Sequence, residues 1–304
     1  MMDDTLTRQT AERLIEAAIA APSVHNSQPW QFVARPADRV IEIYADPART
    51  LRRGDPHGRA VHIACGSALF NLRLAIARAG YEPVARLLPG PRDPLLLASV
   101  RLAGPYRPRP AERDLYVAIR LIGRGPFVGR PPRGVVLALK EAAAVEGASL
   151  REVGQADALR ILRGRAAGPD LHPAAGKRVI GKFRPMRDFP PGPGARPASP
   201  AGEPGPQLAV ISTGAGDRAS GLRAGQAAQH VLLLAAHHGV QAALLSPAPE
   251  APAGPAHGET AFAGEHPDVE HPAVILQFGS GHLRPATARR PVAQVLRVLS
   301  PMAV

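Results

Sequence analysis

The segment Ala21-Pro22-Ser23-Val24-His25-Asn26-Ser27-Gln28-Pro29-Trp30-Gln31-Phe32 concentrates the polar chemistry of this chain. Ser, His, Asn, Ser and Gln fall between positions 23 and 28, and the carboxamides of Asn26 and Gln28 are separated by a single residue. In a turn that frees backbone N–H groups, two such carboxamides can read a planar ring that offers both donors and acceptors. The uracil-like edge of a flavin or a nucleobase has that pattern. The same residues also make a polar helix-to-strand turn capped by Ser23 and Asn26, with no ligand involved. The residue types alone leave both readings open.

Other signals are weaker. Gly214-Ala215-Gly216-Asp217-Arg218-Ala219 follows an apolar strand and resembles a dinucleotide fingerprint, but no βαβ unit with an acidic residue at the right distance completes it. A strand-to-helix turn is the better reading. His257-Gly258-Glu259 has the H-x-E of zinc deaminases without the cysteine pair that would complete the site. His266, Asp268, Glu270 and His271 read as a solvated loop, so no metal is expected. His237 and His238 close a helix, where an imidazolium complements the dipole. Neither G-x-S-x-G nor H-E-x-x-H is present.

Around the polar segment the chain alternates helices and strands. Residues 8–21 read as a helix with Leu14, Ala17, Ala18 and Ala21 on one face, stopped by Pro22. Trp30–Arg35 and Val40–Ala45 read as a hairpin, and Ala64–Arg78 as a long helix ended by Gly80. Val84–Leu88 and Leu95–Leu102 follow as strands. The second half repeats the plan: helix Val135–Val145, strands Ser149–Val153 and Leu208–Ser212, helix Ala224–His238 ended by Gly239, then strands Ala242–Leu245 and Ala273–Phe278. An offset of 159 residues superposes Gly66, Ala68, Leu74, Ala77 and Gly80 on Gly225, Ala227, Leu233, Ala236 and Gly239. The matching order of elements predicts a duplicated α+β unit. Between the halves, Pro185–Pro206 holds eight prolines and four glycines in 22 positions, which forbids a packed element and suits either a linker or a lid.

At 304 residues the chain is long enough for a substantial core, and its 45% hydrophobic and 20% charged composition is that of a globular protein. No run approaches 18 uninterrupted apolar residues, so no membrane partner is expected. The opening Met-Met-Asp-Asp lacks the basic and apolar regions of a secretory signal. Cys65 is the only cysteine, which excludes a disulfide framework and makes the cytoplasm the expected compartment. The net charge of +12 comes from 34 arginines against three lysines, scattered through the chain, and only 4% of residues are aromatic. That pattern reads as a biased composition with one or two anion sites; nucleic acid is not an expected partner.

The string APSVHNSQPWQF resembles the A-P-S-x-x-N-x-Q-P-W-x-F signature of the FMN-dependent nitroreductase superfamily. With the His before Asn26 and the duplicated layout, it is most similar to the Acg family, in which two nitroreductase-like halves are fused. YADPARTL, CGSALFNLRLA and RAGQAAQHVLLLAA lie in the expected order, so the resemblance spans most of the chain. It implies an α+β nitroreductase-like fold of two pseudo-symmetric halves, 1–110 and 111–304, each a mostly antiparallel sheet flanked by helices.

The first half carries the polar loop. The second opens with Arg120-Leu121-Ile122-Gly123-Arg124-Gly125-Pro126-Phe127 and ends with Ala288-Arg289-Arg290-Pro291-Val292, similar to the family's phosphate-binding segments. Each half lacks what the other has, so the resemblance implies one composite FMN site per chain. Arg120 and Arg289 or Arg290 would meet the phosphate, for which the guanidinium fork is suited. Arg124 would stand near the flavin N1 and C2 carbonyl, and Pro22, Ser23, Val24, Asn26 and Gln28 would meet the ring. Ile122 and Gly123 depart from the family, which has Ser or Thr and often Asn there, so one hydroxyl contact is missing. The implied activity is hydride transfer from NAD(P)H through flavin N5 to a nitro- or quinone-type small-molecule acceptor. The alternative is an FMN-holding protein whose 185–206 segment keeps nicotinamide out. A chain that carries both halves of a dimer is expected to be a monomer or weak dimer.

Overall fold

The computed structural model describes residues 6–50, 55, 57–121, 129–154, 207–247, 271–279 and 287–299. Helix α1 (Arg8–Ala18) begins where the Thr7 hydroxyl accepts a hydrogen bond from the Thr10 amide at 3.1 Å, and it buries Ala11, Leu14, Ile15 and Ala18. It ends before the expected Ala21. Ala20 and Ala21 already hydrogen-bond three residues back, tightening the chain ahead of Pro22. Strands β1 (Trp30–Arg35) and β2 (Val40–Ala45) form the expected antiparallel hairpin, with Trp30, Phe32 and Ala34 facing inward. Helix α2 (Arg59–Arg78) starts five residues earlier than its apolar run suggests. The Asp55 carboxylate accepts the amides of Ala60 and Val61 at 3.0 and 3.2 Å and satisfies its first turn. Gly80, at φ 90°, turns the chain into β3 (Tyr81–Leu87), and β4 (Leu96–Pro105) pairs with β3 and β2.

Helix α3 (Pro110–Ala118) has no counterpart in the sequence reading. The chain continues through α4 (Arg133–Val145), β5 (Ser149–Val153), β6 (Gln207–Thr213), α5 (Arg218–His237), β7 (Gln241–Pro247) and β8 (His271–Gly279). It closes with α6 (Val292–Val295) and β9 (Leu296–Val298). Gly214-Ala215-Gly216 is the strand-to-helix turn between β6 and α5, where Asp217 accepts the Ser220 amide at 2.7 Å. Residues 122–128, the 185–206 segment, His257–Glu259 and the residues 266, 268 and 270 lie outside the described residues.

The protein is an α+β fold, with two sheets among the described residues. One runs β3-β4-β2-β1-β9, the other β5-β6-β8-β7. The order β3-β4-β2-β1 thus recurs as β7-β8-β6-β5, antiparallel throughout in both. The exception is β9, which comes from the end of the chain and lies parallel to β1, Phe32 opposite Leu296.

Between the sheets, α2 and α5 pack on each other. Their contacts are reciprocal at the 159-residue offset. A Cβ on Gly66 would run into the carbonyl of Leu222, and one on Gly225 into the carbonyl of Ile63. Leu222 belongs to the apolar cluster around β1 and β2, while Ile63 belongs to the one around β6 and β8. Arg59 donates to the Pro272 carbonyl, and Arg218 donates to the Pro94 carbonyl. The close approach buries polar side chains, and most of their polar atoms find a hydrogen-bond partner, Gln229 Oε1 and His230 Nδ1 being exceptions. The Ser67 hydroxyl sits 3.0 Å from Gly225 O, Asn71 Nδ2 donates to Ala17 O at 3.0 Å, and Gln229 Nε2 donates to Asn71 Oδ1 at 2.8 Å. Burial, then the Arg218 charge, lowers the pKa of His62, whose Nε2 accepts from Arg218 Nε at 3.1 Å. By length and composition α2 could cross a membrane; here it is almost wholly buried inside the fold, which accounts for its apolar run.

Candidate functional site

The polar segment leaves α1 and enters β1 through a short 3-10 turn at Val24–Asn26. Ser23 organises it. Its carbonyl accepts the Asn26 amide at 3.0 Å and its hydroxyl accepts the Gln28 amide at 3.0 Å. His25, Asn26 and Gln28 have φ values of 52°, 56° and 49°, in the left-handed region that non-glycine residues enter at a cost of about 1 kcal/mol or more each. Three such residues within four positions persist only when the surroundings hold them. Here the surroundings come from the far end of the chain.

Residues 287–290 lie against this loop. Asn26 Nδ2 donates to Ala288 O at 2.9 Å, and Asn26 Oδ1 accepts from Arg289 Nη1 at 3.3 Å. Arg289 also donates from Nε to Ile19 O and from Nη2 to Ala20 O, both at 2.9 Å, at the carbonyl end of α1 where a cation is favoured. The Arg290 amide donates to Gln28 Oε1 at 2.8 Å. Its Nη1 reaches Gln28 O at 3.2 Å and Asp46 Oδ2 at 3.3 Å, and its Nη2 reaches Gln294 O at 3.2 Å. Asp46 is further held by Gln31 Nε2 at 2.9 Å and by the Ala48 amide at 3.1 Å.

The fold therefore brings Pro22, Ser23, Val24, Asn26, Gln28, Arg289 and Arg290 together across more than 260 residues of sequence. Both carboxamides are engaged with the tail: Asn26 through donor and acceptor, Gln28 through its oxygen. Arg120 is elsewhere, exposed on the turn that ends α3, and its guanidinium has no hydrogen bond or ion pair among the described residues. Arg124, Ile122 and Gly123 lie outside the described residues.

Chemically, this donor set can take an anion. Arg120, on the turn that ends α3, is not part of it. Arg289 is partly buried beside the strained loop. Its Nη1 makes a long contact to Asn26 and shorter ones to Thr287 O at 2.8 Å and Thr287 Oγ1 at 2.5 Å, neutral acceptors that an anion's oxygen would have to displace. Arg290 is likewise bonded to internal carbonyls, and its guanidinium also meets the Asp46 carboxylate. Sequence reasoning missed Asp46 and Gln31. The Asp-Pro-Ala-Arg string after β2 was the available signal, since Asp ahead of Pro commonly caps a turn. Among the described residues no group of three or more His, Cys, Asp or Glu could hold a metal ion.

Residues 2–64, which include the polar loop, match the Nitroreductase family. A Mycobacterium tuberculosis (strain H37Rv) protein that carries a provisional NAD(P)H nitroreductase name, Rv3131, is 30% identical over 260 residues, covering 76% of this chain and 74% of its own length. The acg protein of the same organism, provisionally named in the same way, is 37% identical over 100 residues, covering 33% of this chain and 30% of its own. An uncharacterized protein of that organism, Rv3127, is 36% identical over 88 residues, 28% of this chain and 26% of its own length.

Proposed function

Because this chain belongs to the nitroreductase family, we propose that it is an oxidoreductase that binds one FMN at the junction of the 22–28 loop and the 287–290 tail. The observation that carries the reading is the Asn26–Arg289 contact, with Asn26 also bonded to Ala288 O. It joins the loop to the basic tail, two elements that the family contributes to one flavin. Bound there, the flavin would supply a two-electron carrier that takes hydride from NAD(P)H and delivers it to an electrophilic small molecule such as a nitro compound or a quinone.

The chain's own residues have separate tasks. Ser23 holds the loop in its left-handed conformation, so that the backbone of Pro22 and Val24 and the side chain of Asn26 present polar groups in one place. Arg289 supplies positive charge for a phosphate, Arg120 would have to reach the site from the turn that ends α3, and Arg124 is the candidate cation for the pyrimidine edge. The repeated strand order and the reciprocal α2–α5 contacts support two halves, 1–110 and 111–304, the second of which adds its C-terminal strand to the sheet of the first. Only one half retains a loop. The connection from α1 to β1 spans residues 19–29, whereas that from α4 to β5 is reduced to residues 146–148. One flavin per chain follows, in a monomeric or weakly dimeric cytoplasmic protein.

Titration of the purified chain with FMN should saturate at one equivalent and give an oxidised-flavin spectrum. Asn26→Ala should weaken binding by about 1–3 kcal/mol, the scale of a buried hydrogen bond lost with its partner left unpaired. Mixed anaerobically with NADPH or NADH, the holoprotein should bleach within seconds. A chain that never binds FMN would overturn the reading. Flavin bleached by dithionite but by neither nucleotide would replace it with the flavin-holding alternative.

A further inference from the structure

We infer that Asp46 and Arg290 are a positioning pair that fastens the tail to the loop, and that Arg290 does not serve as a phosphate ligand. The inference rests on the flavin reading for what it positions, but the pair itself stands on geometry. Both side chains are 11% exposed, and their Nη1–Oδ2 separation is 3.3 Å. Asp46 is anchored at the end of β2. Its amide donates to Pro29 O at 3.0 Å, Oδ1 accepts the Ala48 amide, and Oδ2 is shared between Gln31 and Arg290. Arg290 spends its side chain on Gln28 O, Gln294 O and Asp46, while its amide holds Gln28 Oε1.

The two adjacent arginines thus divide the labour. Arg289 grips the end of α1, Thr287 and Asn26 through neutral oxygens from a partly exposed position, so an anion that met it would replace a neutral acceptor. Arg290 would have to abandon Asp46, leaving a carboxylate buried without its charge partner, before it could meet one. A buried Nε with no partner shows that the guanidinium is placed by the other contacts rather than by its own full satisfaction. Gln28, at φ 49°, is bonded to Arg290 through both its side chain and its carbonyl. The pair therefore helps to hold the strained end of the loop.

The test uses the full chain without and with FMN. Trypsin can cut after Arg289 but not between Arg290 and Pro291, so the fragment beginning at residue 290 reports release of the tail by mass spectrometry. Asp46→Asn and Arg290→Gln should each speed that cleavage in the flavin-free protein about tenfold or more, because each strands a buried charge. The double variant strands neither and should be cut more slowly than the faster single. The FMN dissociation constant should rise about tenfold in each single variant, with kcat at saturating FMN little changed. Should Asp46→Asn not fold, Arg290→Lys replaces it. A lysine keeps the charge without the fork and should release the tail as well. Wild-type cleavage rates in the single variants would overturn the pair, as would simple multiplication of the two effects. Faster cleavage with unchanged FMN affinity would reduce it to a fold-stabilising contact and overturn the positioning role. If the wild type binds no FMN while cleavage behaves as expected, the flavin reading falls and the Asp46–Arg290 fastening stands.

Discussion

Gly66→Ala and Gly225→Ala are each expected to destabilise the protein by about 3 kcal/mol or more, at the upper end of overpacking effects. At both positions the added methyl would meet a backbone carbonyl of the opposite helix, Leu222 O or Ile63 O, not the end of a flexible side chain. A backbone carbonyl in a helix cannot step aside without breaking its own ladder, so the helices would have to separate. Separation would loosen the Ser67–Gly225 and Asn71–Gln229 hydrogen bonds and the packing of both apolar clusters together. Gly134 is the control. It lies in α4, and a Cβ there meets nothing within 4 Å, so Gly134→Ala should stabilise by about 0.5–1 kcal/mol through helix propensity and unfolded-state entropy. Urea unfolding of the three variants checks the contrast. Equal, small effects at all three positions would mean that α2 and α5 do not approach as closely as described.

Glu146→Gln is expected to cost about 1–3 kcal/mol, below the full scale of a broken buried ion pair because the Arg73 left behind is 31% exposed. The Glu146 side chain is 6% exposed in the short α4–β5 turn, and Arg73 of α2 reaches it at 2.7 Å. The same Arg73 Nη1 donates to Gln226 Oε1 at 2.8 Å, and His230, stacked on Phe70, places Nδ1 3.6 Å from the carboxylate. At that distance His230 acts as an electrostatic neighbour, and Arg73 makes the hydrogen bond. Burial alone would raise the Glu146 pKa; His230 and Arg73 outweigh it and hold it below the ordinary 4.5. The sign follows. A carboxylate with a depressed folded pKa contributes its full stability above the unfolded value and loses it as pH falls through the folded one. Wild-type stability should therefore fall below about pH 4.5 in part through Glu146, and that part should vanish from the pH profile of Glu146→Gln. Parallel profiles for the two proteins would show that the ion pair contributes nothing.

The local elements were legible because their periodicity is strong. Strands β1, β2 and β5 occupy the residues that their apolar patterns mark, and the two long helices stand on the predicted runs. Helix α3 was overlooked although its signal is present. Pro110 takes the first helical position, and Glu112 accepts the Arg109 amide at 2.7 Å, a capping arrangement in a segment too polar to catch a search for apolar periodicity. Both long helices begin earlier than their apolar runs, because Asp55 and Asp217 cap them across residues that carry no apolar pattern.

The sequence by itself determined the loop: Pro22 ends α1, Ser23 and two carboxamides follow, and Pro29 leads into β1, all through short-range chemistry. It also determined the 159-residue repeat, since glycines and small residues at matching positions are written in the chain. What the carboxamides bind to was decided only by the tertiary structure. Asn26 and Gln28 meet a tail more than 260 residues away because β9, only three residues long, adds in parallel to β1. No local pattern encodes that pairing, and its closure is favourable only once both sheets and the α2–α5 contact exist. The same holds for Arg290. In sequence it is one of 34 arginines and indistinguishable from Arg289; burial beside Asp46 separates their roles.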